Sequence, residues 1–427
     1  AGGNGGSGTS AGGDGGNAGN GGTGGLGGDG GQALDSDGND GTGAAGGNGG
    51  AGGTGGTGGN GGSAGTAGDP GTDGSAASFI TGGAGGAGGA GGAGGAGNGQ
   101  SAPANAGFVY VASRGTAVTE IDLADATSTI TVGGNGIKPR GIAVSPTGPN
   151  AGYVYVTNGS GPLASTSVSV IDPTGTVTNI PFDGRPNGVA VAPAGVTNAG
   201  YVYVSDYYYG RVYVYDPSSQ LVGTIATSAG ELGAIAVSPT GIKAGYVYVA
   251  DLQNAEVLVI SPFDSVNGST IDTVTVGDDP RSLAISPTGT NAGYIYVGNY
   301  NGQTVSVIDP SNTVSTITLG DSVVSPGDSF YPQSVAVSPT GATAGQVYVG
   351  GYYGDVRVIN PSGNIVGNIG GEWGYKPYGL AVAPTGANAG DIYVGSYGNS
   401  TVTVLSPDGT ILDTIAVSGP AGIAIAP

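Results

Sequence analysis

From residue 106 to the end of the chain, short apolar segments alternate with turn-forming clusters in a fixed rhythm. One marker, an Ala-Gly followed by an aromatic–aliphatic run, appears as AGFVYV at 106, AGYVYV at 151, 199 and 244, AGYIYV at 292, AGQVYV at 344 and AGDIYV at 389. A second appears as GIAVSP at 141, GVAVAP at 188, AIAVSP at 234, SLAISP at 282, SVAVSP at 334, GLAVAP at 379 and GIAIAP at 422. The first marker returns every 45 to 52 residues, the period of a propeller blade. Within 139–184 the pattern divides into four short strands, RGIAVSP, GYVYVTN, TSVSVIDP and GTVTNIPF, joined by Pro, Gly and Asn turns. The first is almost continuously apolar and rich in Gly and Ala, which suits a crowded axis with a neighbouring blade on each face. The second alternates Tyr and Val, so its tyrosines share one face. The fourth is Thr-rich, as a solvent-facing outer edge should be. The pattern predicts an all-β, seven-bladed β-propeller.

Phase at the two ends predicts how the ring closes. The repeats open with strands two to four (FVYV, TAVTEID, TSTITV) and finish with a lone strand one, GIAIAP. That last segment can complete the first blade, a one-plus-three closure that removes two open sheet edges.

Residues 1–100 obey different physics. Gly fills 49 of the first 100 positions, in Gly-Gly-X triplets, and that stretch contains neither Lys nor Arg. A three-residue period matches a left-handed helix without internal hydrogen bonds, whose bare-backbone faces could pair laterally with neighbouring helices. Two readings follow: a polyglycine II-like helical bundle, or a flexible Gly-rich spacer, since ordering Gly costs more backbone entropy than ordering any other residue. The domain division expected is 1–100 and 101–427. The chain does not begin with Met, which reads as a processed or partial sequence.

Charge and missing residue types narrow the chemistry. With 9 basic against 29 acidic residues the formal charge is −20, a field that repels phosphate backbones and argues against nucleic acid. No run is long and apolar enough to predict a membrane span. Histidine and cysteine are absent, which excludes disulfides, Ser-His-Asp and Cys-His nucleophile systems, and thiolate or imidazole zinc sites. Asp35, Asp37 and Asn39 open a calcium-loop pattern, but Asp40 replaces its Gly and Gly46 its Glu, so a solvated turn is expected there. Asp172, Asp216 and Asp309 read as caps of turns before Pro. The expectation is no catalytic residue, no metal, no cofactor and no enzyme.

Loop composition supplies the functional signal. In a propeller, the loops between strands two and three share a face with the loops that lead into strand one. Here those loops carry Tyr207, Tyr208, Tyr209, Tyr300, Tyr331, Tyr352, Tyr353, Trp373, Tyr375, Tyr378 and Tyr397, with Lys138, Arg140, Arg185, Arg211, Arg281 and Lys376. The opposite loops read SPTGxNAG and DPTG, which are bland. Exposed aromatics beside guanidinium groups suit stacking on sugars or grasping a peptide. The candidate binding residues are Tyr208, Tyr300, Tyr331, Tyr353, Trp373, Tyr375, Tyr397, Arg140, Arg185 and Arg281. The competing reading packs several of the tyrosines between blades and pairs the arginines with Asp183, Asp206, Asp278 and Asp279.

AGYVYVTN followed by VSVIDP and PxGIAVSP resembles the YVTN-type propeller repeats, relatives of the NHL propellers, over about three-quarters of the chain. The Gly-Gly-X half resembles the PGRS region of mycobacterial PE–PGRS proteins, without their helical PE domain. That resemblance implies a place at or beyond the cell envelope. The combined expectation is a secreted or cell-surface, non-enzymatic protein whose propeller binds a glycan or protein ligand on the Tyr/Arg face. One alternative is an envelope or fibre subunit that self-associates through the Gly-rich region; another is a propeller lyase or hydrolase working through carboxylates and Tyr.

Overall fold

A computed structural model describes residues 103–133, 138–146, 148, 150–160, 166–228, 230–262, 271–370 and 376–427, with the short segments 20–22 and 59–62. The chain divides into two units, Ala1–Gln100 and Ser101–Pro427. In the first, Asn20–Gly22 and Gly59–Gly62 pair as parallel strands. The helical bundle expected there, and the Asp35–Asp37–Asn39 turn, lie outside the described residues.

The second unit is a seven-bladed propeller of seven four-stranded sheets, each in the order first to fourth strand from the inside out. The first strands of blades two to seven are Lys138–Val144, Pro186–Val191, Leu232–Val237, Pro280–Ile285, Pro332–Val337 and Pro377–Val382. Blade one takes its first strand from the end of the chain. Pro420–Ile425 pairs antiparallel with Val109–Ser113, setting Ile423 opposite Val111 and Ile425 opposite Val109. The backbones of Gly107 and Phe108 bond to Ala426, and Arg114 N–H donates to Gly419 O. The predicted one-plus-three closure is the one observed. Helix among the described residues amounts to two 3-10 turns, Gly241–Lys243 and Gly341–Thr343.

Seven tyrosines, one per blade, explain the YVYV repeat. Tyr110, Tyr155, Tyr203, Tyr248, Tyr296, Tyr348 and Tyr393 each take the second position of a second strand and are the largest fully buried side chains. Each faces the next blade: Tyr203 packs with Leu232, Ile235 and Val247, Tyr248 with Leu283 and Ile295, and Tyr393 with Val109 and Val111 across the closure. A buried phenol needs a partner for its hydroxyl. In five blades the Asn five residues earlier supplies it, and the NAG of the repeat is therefore structural. Asn198 Nδ2 donates to Tyr203 OH at 2.7 Å and to Gly245 O of the following blade at 3.0 Å. Asn105 does the same for Tyr110 and Gly152 O, at 2.8 and 2.9 Å. Asn150 and Asn291 reach Tyr155 and Tyr296, then the Pro217 and Pro361 carbonyls of neighbouring blades. Each such amide pins one blade to another.

Two blades depart from this clasp. In blade six Thr343 holds the position and Tyr348 OH donates to Gln346 Oε1 at 3.0 Å. In blade four the position is Lys243, whose ammonium turns away to Asn312 Oδ1 at 3.1 Å, and Tyr248 OH is buried without a partner. The outer edge also varies. The fourth strand of blade one is Thr-rich and exposed, but blades three, six and seven place Leu221 and Val222, Ile365 and Val366, and Ile411 and Leu412 in water. The Asp caps are as expected: Asp172 Oδ1 accepts from the N–H groups of Thr174 and Thr176 at 2.9 and 3.0 Å, and Asp216 and Asp309 repeat the turn.

Lys243→Asn should complete the clasp in blade four. The expected gain is about 1 kcal/mol, read as a higher urea midpoint at unchanged slope. An unchanged midpoint would mean the amide fails to reach Tyr248.

Burial raises the pKa of the second-strand tyrosines, Tyr155, Tyr296 and Tyr393 among them, and pushes Tyr248 up from 10.0 to about 12. Below pH 10 these phenols are neutral whether the chain is folded or not. Between the unfolded and folded values only the unfolded chain releases the proton, so stability falls as pH rises through that window. Tyrosinate absorbance from these rings is expected to develop together with loss of the β-sheet circular dichroism signal, not ahead of it.

Candidate functional site

Strand register assigns the loops to faces. In blade three Pro186 lies opposite Asp206, Asp206 opposite Arg211, and Arg211 opposite Ala226. The approach to strand one, the loop between strands two and three, and the end of strand four therefore share one end of the blade. Every aromatic and basic candidate in the described residues belongs to that end. At its centre lies an axial cavity of about 600 Å³, a volume suited to a small ligand.

The wall of the cavity follows from a short sequence rule. Each first strand opens Pro-x-Gly or Pro-x-Ser, except Glu231-Leu232-Gly233, and each has a register shift at that opening. The shift lifts one backbone N–H out of the ladder and sets the Gly or Ser at the axis. There the blades nearly touch. A Cβ on Gly141 would lie 2.4 Å from Asn187 O, on Gly188 2.8 Å from Gly233 O, and on Gly422 2.7 Å from Arg140 O. In blades two and three a hydroxyl of the second strand satisfies the freed N–H group. Thr157 Oγ1 accepts from Gly141 N–H and donates to Asn187 O of the next blade at 2.7 Å; Ser205 does the same for Gly188 and Gly233 O. In blades five and six the arrangement is reversed. Ser282 and Ser334 stand in strand one, facing Gly298 and Gly350, where a Cβ would meet each hydroxyl at 2.7 Å. Ser334 Oγ again donates to the next blade, at Pro377 O.

The residue between Pro and the following Gly or Ser differs from blade to blade and lies at the mouth. Arg140, Arg281 and Tyr378 occupy it in blades two, five and seven, and loops add Arg114, Arg185 and Tyr207. Three of these guanidinium groups lie over aromatic rings. Arg281 lies 3.8 Å from the Tyr300 centroid, Arg114 4.7 Å from Tyr378 and 5.1 Å from Tyr397, and Arg185 6.0 Å from Tyr208. Arg281 also pairs with Asp279 at 2.7 Å. Arg140 keeps open surface towards the cavity, yet its pKa is lowered, first by loss of bulk hydration in the recess and then by repulsion from Arg114 and Arg185. Tyr207 is shifted up by burial and by the neighbouring Glu231 carboxylate.

The ten candidate residues thus separate. Arg140, Arg185 and Arg281 line the cavity. Tyr300, Tyr331 and Tyr353 join Tyr352 in a cluster beside it, with Tyr300 and Tyr331 centroids 5.2 Å apart and Tyr352 and Tyr353 5.2 Å apart. Tyr397 packs on Tyr378 under Arg114, and Tyr208 stands on the rim, 61% exposed. Trp373 and Tyr375 lie outside the described residues. Of the expected Arg–Asp pairs only Arg281–Asp279 forms among the described residues; Asp206 instead accepts the backbone N–H groups of Arg185 and Tyr208. Arg114 was not among the candidates. Its position directly after AGFVYVAS, in a loop between strands two and three, was the available signal.

The fold and its axial cavity define a seven-bladed β-propeller. No family model matches the chain and no curated protein matches it, so the YVTN and PGRS resemblances rest on motifs alone, and the PGRS one finds no support. Solved structures do match. A functionally unknown protein from Desulfotomaculum acetoxidans DSM 771 superposes with TM-score 0.59 at 14% identity, over 75% of this chain and 99% of the other. A putative 6-phosphogluconolactonase from Bacteroides uniformis ATCC 8492 gives 0.56 at 16%, over 74% and 98%. A virginiamycin B lyase from Staphylococcus aureus, in a form made catalytically inactive by a His-to-Ala substitution, gives 0.51 at 12%, over 68% and 90%. Identities this low establish the fold alone. They also overturn the expectation of a non-enzymatic protein: the same architecture carries a lyase, so neither the propeller nor its loop composition separates a binding module from a catalyst.

Gly188→Ala should cost about 1–3 kcal/mol of stability, because the new methyl meets the Gly233 carbonyl and the Ser205 bridge. Gly115→Ala, with nothing near its Cβ, should stay within about 0.5 kcal/mol of the parent. Equal urea midpoints for the two variants would contradict the close approach at the axis.

Proposed function

We propose that the propeller is a recognition module for a glycan ligand, taken up at the axial cavity and on the aromatic ridge beside it. The observation that carries this reading is the ridge itself: Tyr300, Tyr331, Tyr352 and Tyr353, from two adjacent blades, form a continuous run of ring contacts. None of the four is fully buried, so each offers ring surface to a ligand. Sugar rings present apolar C–H faces to such surfaces and hydroxyls to the polar groups around them. The adjoining cavity has room for a small terminal group. Among the described residues the opposite end, whose loops repeat SPTG-type turns, shows no such run of ring contacts. Chemistry that depends on a histidine, as in the lyase just described, has no histidine to use in this chain.

Glycan-array binding by the full chain tests the reading. Tyr331→Ala and Tyr353→Ala should each weaken the strongest signal about fivefold, the loss of one aromatic contact of about 1 kcal/mol. Full signal in both variants, or no glycan bound by the parent, would overturn it.

A further inference from the structure

We propose that the axial mouth binds an oxyanion, the carboxylate or phosphate of the ligand, between Arg114, Arg140 and Arg185, with Arg281 completing the ring of positive charge. This rests on the ligand-binding reading of the same face and specifies the chemistry of its centre.

Charge distribution is the first ground. The chain has only 9 cationic side chains against 29 carboxylates, yet four of the nine converge on one cavity of about 600 Å³. Among the described residues lining it there is no Asp or Glu.

The second ground is that these arginines are not satisfied internally. The two ion pairs of the described residues are Arg281–Asp279 and Arg357–Asp355. Arg357 shows what a structural arginine looks like here: buried, bonded to Leu319 O and Asn368 Oδ1 and stacked on Phe330. Arg114, Arg140 and Arg185 have no carboxylate partner among the described residues, and the Nε groups of Arg114 and Arg185 are buried without an acceptor. Arg114 and Arg185 both act on Arg140 as like charges. Holding like charges together in a recess is unfavourable unless a counterion joins them.

Geometry is the third. The guanidinium carbon of Arg114 lies over the Tyr378 and Tyr397 rings, and that of Arg185 over Tyr208. A guanidinium backed by a ring still has N–H groups for forked recognition of carboxylate or phosphate oxygens. Macromolecular polyanions do not suit the site, because the surrounding chain is strongly negative; a single anionic group entering the recess does.

The test uses the full chain with inorganic phosphate and with glucuronate, separately, in low-salt titration calorimetry and thermal melts. At least one should bind and raise the melting temperature, as a ligand of the folded state must. Arg140→Gln should weaken that binding at least about tenfold, the worth of one charged hydrogen-bonding partner, and should itself melt no lower than the parent, because it relieves repulsion. Lys243→Asn removes the same charge from the opposite end of the propeller and should leave anion affinity unchanged. Which probe binds tells phosphate from carboxylate. Binding of neither, binding equal in Arg140→Gln, or equal losses in Arg140→Gln and Lys243→Asn would overturn the proposal. If a neutral glycan binds through Tyr331 while both anions fail, the anion site falls and the glycan reading stands.

Discussion

The closeness of the first strands at the axis constrains everything else in this propeller. Neighbouring blades approach so tightly there that a Cβ on Gly141, Gly188 or Gly422 would strike the next blade's carbonyl. Close packing of backbone on backbone leaves polar groups that water cannot reach, and they must be paired. The chain answers with one hydroxyl at several of the junctions. Thr157 and Ser205 supply it from the second strand when the first holds Gly; Ser334 supplies it from the first when the second holds Gly. Space permits one side chain or the other at each of these junctions, and the sequence respects that exclusion. The Asn–Tyr clasps do at mid-radius what these hydroxyls do at the centre, binding one blade to its neighbour through a carbonyl.

That constraint also makes the site. Because the residue after Pro is followed by an obligatory small one, the variable position stands at the lip of the cavity with room to project. It is Arg140, Asn187, Leu232, Arg281, Gln333, Tyr378 and Ala421 in turn from blade two round to blade one. A repeating scaffold thus carries a non-repeating ring, and loops behind the ring add Arg114, Arg185 and Tyr207. The same scaffold would hold a different set equally well, which is why propellers of this shape at 12–16% identity include proteins of unlike description.

Much of this was legible without coordinates. Seven copies of two markers gave the blade count, and a lone GIAIAP at the end gave the closure, because strand phase is a property of the repeat. The end that gathers the aromatic and basic loops was legible too, since loops between strands two and three cannot change sides. What the pattern could not supply was partnership. Tyr207, Tyr300 and Tyr378 look alike in sequence, yet Tyr300 backs Arg281, Tyr378 backs Arg114 across the closure, and Tyr207 lines the cavity near Glu231. Blade four's Lys243 likewise reads as a surface residue until Tyr248 is found without the amide its counterparts have.

The sequence by itself determined the all-β class, the seven blades, the order of strands, the closing segment and the absence of histidine and cysteine chemistry. Those follow from local periodicity and composition, which need no long-range contact. Tertiary structure alone decided that Arg114, Arg140, Arg185 and Arg281, drawn from four blades, meet at one mouth with no carboxylate among the described residues lining it, and that the aromatic residues split into a ridge and a set of backing rings. Ring closure brings residue 114 beside residues 378 and 397; no local rule along the chain fixes which side chains then touch.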